Sequence, residues 1–185
     1  GATVAAESDA RGAAARFEFA QAEEAIGNGL GAIDLAAKAQ GWDAGFAEGK
    51  RKEFVTRARL GVLGAVLGSG RHEYAGAYLA AKRGGMDETA IAASKIEQHI
   101  AAAGARDAAR SLADQAWEQA GGNPVMALDW LRGQGIKDTD TFDAATQRVQ
   151  QRSSAETTAW RQADAPRLGR LETKLRSGLG FTRLD

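Results

Sequence analysis

The chain has 185 residues, enough for one well-buried core or two small ones and too few for several independent domains. Its 24 basic and 24 acidic side chains cancel, so no global field draws in nucleic acid or an anionic membrane surface. Cysteine is absent, which removes disulfides, thiolate catalysis and cysteine-based zinc sites; no apolar run approaches the roughly 18 residues that a bilayer demands, and the chain reads as soluble.

Alanine makes up about a fifth of the chain and prolines number only 2, a composition that favours helix over sheet. No stretch reads as a convincing strand. The opening "GATVAAESDARG" has neither a basic n-region nor an apolar h-region, and is read as the start of a piece of a longer protein.

In chain order, the first element is a long helix from Arg11 to about Gln40, with Phe19, Ala22, Ile26, Ile33 and Ala37 on one face and a weak middle at "GNGLG". Gly41 is its expected stop. Asp43 is placed to cap a second helix, from about Ala44 to Leu67, whose buried stripe is Phe46, Phe54, Ala58, Val62 and Val66. "GSG" at 68–70 ends it. A shorter helix over His72 to Lys82 closes at "RGG", and Asp87 caps the next, which carries Ile91, Ile96 and Ile100 and breaks at Gly104. Then come a helix over about 105–120, the turn "GGNP" with Pro124 at a first helical position, and a helix over "VMALDWL". A long polar helix is expected from about Thr141 through Trp160, and after Pro166 a final short helix in "RLGRLETKLRSG" and a tail. The fold class is therefore all-α: about seven or eight helices in antiparallel hairpins, as an irregular bundle or a short TPR-like array. The expected organisation is one helical-hairpin domain over 1–165, with the short helix and tail at 166–185.

Shifted by 52 residues, the chain matches itself. Gly70, Ala75, Tyr78 and Leu79 fall on Gly122, Ala127, Trp130 and Leu131, while Leu60 meets Leu112 and Ala93 meets Ala145. The shared pattern is a helical elbow. Glycine supplies a left-handed stop, alanine lets two helices approach, and the aromatic–leucine pair covers the partner helix. Two repeat units follow from it, at about 44–103 and 104–160.

Chemistry is harder to find. "GAVLGSGRH" follows a helix and has no lysine in register for a phosphate loop, and "GNGLGAI" lacks the preceding strand and the final spacing of a dinucleotide fingerprint. His72 and His99 lie far apart and neither has a second ligand one turn on. Of the carboxylate pairs, Asp87–Glu88 and Asp138–Asp140 suit helix beginnings, and Glu23–Glu24 lies on a helix face. The serines of "RSSAE" and "GSGR" lack a nucleophile elbow. No catalytic residue, cofactor site or metal site is expected. Two basic clusters, Lys50–Arg51–Lys52–Arg57–Arg59 and Arg161–Arg167–Arg170–Lys174–Arg176–Arg183, read as solvated helical faces, with a weak anionic contact conceivable at the second.

The run from "FEFAQAEEAIGNGLGAIDLAAKAQGWDAGF" to "GSGRHEYAGAYLAAKRGGMDETAI", with "GGNPVMALDWLRGQGIKDTDTFDAATQRVQQR" after it, resembles a helical region of tailed-bacteriophage virion proteins over about residues 16–152. The resemblance implies a structural part of a tail-associated or ejection protein, located in the virion, whose partners are other virion proteins or further copies of itself. Some parents in that family carry a peptidoglycan-cleaving domain. Nothing here matches one, and a small-molecule substrate, nucleic acid or membrane is not an expected partner. Two other readings stay open. One is a TPR-like module that holds a peptide or partner helix in a groove lined by Tyr74, Tyr78 and Trp130; the other is an accessory domain of a cell-wall hydrolase whose active site lies elsewhere in the parent.

Overall fold

A computed structural model describes residues 1–176. Eight α-helices and one 3-10 turn make up the described residues, with no strand among them: α1 (Ala2–Ala15), α2 (Phe19–Gln40), α3 (Ala44–Gly68), α4 (His72–Lys82), the 3-10 turn Arg83–Gly85, α5 (Glu88–Ser94), α6 (Ile96–Gln119), α7 (Pro124–Gly133) and α8 (Thr139–Arg176). The chain is all-α, as its composition requires. It divides into two compact units, Gly1–Ala105 and a second that begins at Arg106.

In the first unit, α1, α2 and α3 pack on one another, and α4 and α5 pack on α3. The apolar face of α1 is made of alanines, Ala6, Ala10, Ala13 and Ala14, with Glu7 buried beside them, so its backbone lies close to its neighbours. α3 is the central element and needs apolar residues on more than one face. Phe54, Ala58, Val62 and Val66 are buried as expected, and Val55 and Leu63 join them. Ile26 and Ile33 of α2, Leu79 of α4, Ile91 of α5 and Ile96 of α6 complete this core.

The core of the second unit is smaller. Ala109, Ala113, Ala116, Trp117 and Ala120 of α6 meet Ala127 and Leu131 of α7, and Ala145 and Val149 of α8. The alanines make room for one large ring. Trp117 fills it, and the Arg152 guanidinium lies 5.0 Å from that ring's centroid.

Where sequence signals are strong, the ends of the helices follow them. Gly41 is left-handed at φ 66 and stops α2. Asp43, Asp87 and Asn123 cap α3, α5 and α7, accepting from Phe46 N (2.8 Å), Ala90 N (3.0 Å) and Val125 N (3.0 Å).

Four expectations are overturned. The expected first helix is two, because the chain turns at 16–18 and passes unbroken through "GNGLG". Phe17 carries that turn at φ 64, a costly conformation for a bulky residue, offset by packing on Phe19, Tyr74 and the Arg71 guanidinium. Gly104 does not break a helix; the break falls at Lys95, φ 54, and α6 runs through Gly104, where a Cβ would stand 3.3 Å from the His72 ring. Phe46, assigned to the buried stripe, is 48% exposed and packs edge-on against Trp42 instead. Pro166 neither ends α8 nor marks a boundary, so the separate helix expected after 166 is the continuation of α8. Pro166 leaves the Gln162 carbonyl without its helical donor, at a cost of about 3 kcal/mol. The expected tail lies outside the described residues.

Candidate functional site

The two elbows identified from the repeat are formed. Gly70 (φ 75) and Gly122 (φ 82) are both left-handed, and in each case a helix starts two residues later. Ala75 and Leu79 are buried in the first unit, as are Ala127 and Leu131 in the second; Tyr78 is buried and Trp130 half-buried. The echo weakens downstream, where Ala145 is buried but Ala93 is exposed.

The aromatic groove has a different fate. Tyr74 is 45% exposed beside Phe17, with the Arg71 guanidinium over its ring. Tyr78 stacks on Phe19, with centroids 5.6 Å apart, and its hydroxyl donates to Glu23. It faces inward and presents nothing to a peptide. Trp130 belongs to the second unit.

Glu23 is the most heavily contacted carboxylate of the first unit. Arg59 Nη2 donates to it at 2.9 Å, Lys82 Nζ lies 3.3 Å away, and Arg59 Nη1 also donates to the Lys82 carbonyl at 3.3 Å, so α2, α3 and α4 are tied at one point. Partial burial pushes the Glu23 carboxyl up, but the hydrogen bonds from Arg59 and Tyr78 and the two cations outweigh it and hold it below its ordinary 4.5. Burial, and then the hydrogen bond to Glu23, push the Tyr78 phenol well above its usual range. The same contacts favour an ionised carboxylate beside a neutral phenol. Their arrangement is that of a structural joint.

The first basic cluster is absorbed in the same way. Along α3, Lys50 reaches Glu53 (2.9 Å), Arg51 Asp34 (2.7 Å), Lys52 Asp87 (3.9 Å), Arg57 Glu7 (2.7 Å) and Arg59 Glu23 (2.9 Å). Glu7, buried on α1, is matched by Arg57 from 50 residues away. Arg51, Arg57 and Arg59 thereby tie α3 to α2 and α1, and Lys52 ties it to the cap of α5, whereas the Lys50–Glu53 pair lies within α3. The glycine run 27–31 also has a structural use: Gly29 is buried against the Phe54 ring, while Gly27 and Gly31 face open space.

An open cleft of about 490 Å³ lies along α3 and α5, lined by Lys52, Glu53, Thr56, Arg57, Leu60 and Asp87. Its polar groups are already engaged. Thr56 Oγ1 donates to the Lys52 carbonyl (2.7 Å) and accepts from Asp87 N (2.8 Å), and the Asp87 carboxylate caps α5. The Ala90 and Thr89 amides and the nearby Lys52 hold that carboxyl below its ordinary 3.8. Among the described residues, no three His, Cys, Asp or Glu gather as a metal site, and no helix is long and apolar enough to cross a membrane.

The other notable surface is on α8. Ala145 and Val149 enter the core of the second unit and Thr141 is buried, but no residue over 150–175 is buried. Trp160, Leu168 and Leu175 are 62%, 50% and 64% exposed. Sequence reading missed this surface because it ended the long helix at about Trp160 and began a separate one after Pro166.

No protein family, curated protein or solved structure matches the chain.

Proposed function

We propose that the chain is a non-catalytic assembly module, a structural segment of a tailed-phage virion protein that acts through helix packing and protein–protein contacts. One observation carries this reading: Arg51, Arg57 and Arg59 of α3 are engaged in joining the chain's own helices, while α8 extends an apolar-edged arm beyond its core. The first is what a scaffold needs, and the second is what a contact surface offers. The phage parent and the virion location rest on the sequence resemblance. The inward-facing Tyr78 hydroxyl argues against the peptide-groove alternative.

Co-purification from phage particles is the test. The protein should be found at fixed stoichiometry in purified tailed virions and should cross-link to a neighbouring virion protein. Lysis of peptidoglycan in a zymogram by this chain alone, or its absence from particles, would overturn the reading.

A further inference from the structure

Residues 150–175 of α8 form a helix with no buried side chain. Such a helix is marginal in water until one face is covered. At about 100° per residue, Trp160, Leu168, Leu171 and Leu175 fall within an arc of roughly 80°, whose centre is turned by about 80° from the line along which Ala145 and Val149 enter the core. Asp164 lies in the middle of that arc. Eleven residues separate Trp160 from Leu171 and Asp164 from Leu175, the period of a stripe that stays on one side of a nearly straight helix.

We propose that this face binds a second copy of the chain, as an antiparallel helix pair with its twofold axis near Leu168. The inference rests on the assembly reading and names the partner of its contact surface. Charge selects both partner and direction. Parallel pairing in register would press Asp164 against its own counterpart inside the apolar stripe, a like-charge contact. Antiparallel pairing separates the two Asp164 carboxylates by roughly 10 Å along the axis at 1.5 Å per residue, and sets each level with Leu171 and Arg170 of the second copy. Trp160 then lies level with Leu175. Arg161 and Glu172 share one flank of the stripe, and antiparallel helices bring like flanks together, so twofold symmetry gives two Arg161–Glu172 pairs. None of Arg161, Asp164, Arg170 and Glu172 makes an ion pair within the described residues. A lipid surface fits less well, because it would carry Asp164 into the acyl layer with the apolar residues around it.

With four apolar side chains per copy, the interface falls in the small, transient class below about 1,200 Å². Association should therefore depend on concentration. The experiment is sedimentation velocity of the full chain from about 5 to 500 μM, a span set to bracket weak interfaces. A shift from monomer to dimer is expected, lost in Leu168→Glu and weakened at least fivefold in Glu172→Arg, with recovery in Glu172→Arg combined with Arg161→Glu. These side chains are outside the core, and unchanged circular dichroism controls for folding. The chain has no cysteine, so direction can be read by disulfide trapping: Asp164→Cys mixed with Leu171→Cys should cross-link, and Asp164→Cys alone should not. A monomer at every concentration overturns the proposal, as does a dimer indifferent to Leu168→Glu or a monomer that binds anionic phosphatidylglycerol vesicles through this face. A monomer still incorporated into virions would sink the self-pairing while leaving the assembly role standing.

Discussion

Gly29 offers the sharpest test of the packing. It sits in mid-helix, where glycine costs about 1 kcal/mol relative to alanine, and propensity alone predicts that alanine would stabilise α2. A Cβ on Gly29 would stand 2.7 Å from Phe54 Cε1 and closer still to Cζ, inside the ring's contact surface. Phe54 is 2% exposed and among the largest fully buried side chains, so the ring has nowhere to move without displacing its neighbours. Overpacking of this kind costs about 2–3 kcal/mol, so Gly29→Ala should lose about 1–2 kcal/mol net. Gly27 and Gly31, on the same helix and with nothing near, are internal controls. Gly27→Ala and Gly31→Ala should each gain up to about 1 kcal/mol, leaving a gap of roughly 2–3 kcal/mol between Gly29 and its neighbours. Urea unfolding followed by far-ultraviolet circular dichroism reads the difference in midpoint, and an unchanged slope shows that surface exposure on unfolding is the same. Gly29→Ala combined with Phe54→Leu should show a positive interaction, since the smaller side chain relieves the overlap. If Gly29→Ala stabilises as much as Gly27→Ala, the close approach of α2 to the Phe54 ring is wrong.

Gly70→Val should lose about 1 kcal/mol or more, because φ 75 is strained for a β-branched residue even though the space around it is open; an unchanged melting temperature refutes the elbow. Asn123→Ala removes the acceptor for Val125 N and Met126 N and should cost about 1 kcal/mol, read as a lower urea midpoint, whereas Asn123→Asp should retain most of it. The Glu23 joint predicts a pH dependence. Its folded pKa lies below the unfolded 4.5, so its stabilisation is complete above that value and is lost as pH falls through the folded pKa. Glu23→Gln should flatten that acid limb of a stability–pH profile, and a limb of unchanged steepness would remove Glu23 from the joint. The Tyr78 shift runs the other way: stability should fall as pH rises past the ordinary 10.0, where the unfolded phenol ionises and the folded one does not, and Tyr78→Phe should abolish that decline.

Helix content, most helix ends and the apolar stripe of α3 were legible from local chemistry. Asp43, Asp87, Gly41 and the "GGNP" turn act through neighbours within a few residues, so their spacing carries the information. The turn at 16–18 was hidden because its strained Phe17 is held by Tyr74 and Arg71, partners more than fifty residues away. Gly104 and the glycines of α2 misled for the complementary reason. Read locally, a glycine is a helix breaker; beside the His72 ring, or under Phe54, it is a place where two parts of the fold come close.

The joint at Glu23 shows the same division. "AEEA" reads as an exposed acidic pair, and nothing nearby distinguishes Glu23 from Glu24. Only the arrival of Arg59, Tyr78 and Lys82 from α3 and α4 separates them. Alanine, the caps and the 3.6-residue stripes commit the chain to helices, because each of those effects is complete within a turn or two of backbone. Which charges meet, which glycines must stay small, and which aromatic ring turns inward depend on residues far apart in the chain, and those choices were made by packing.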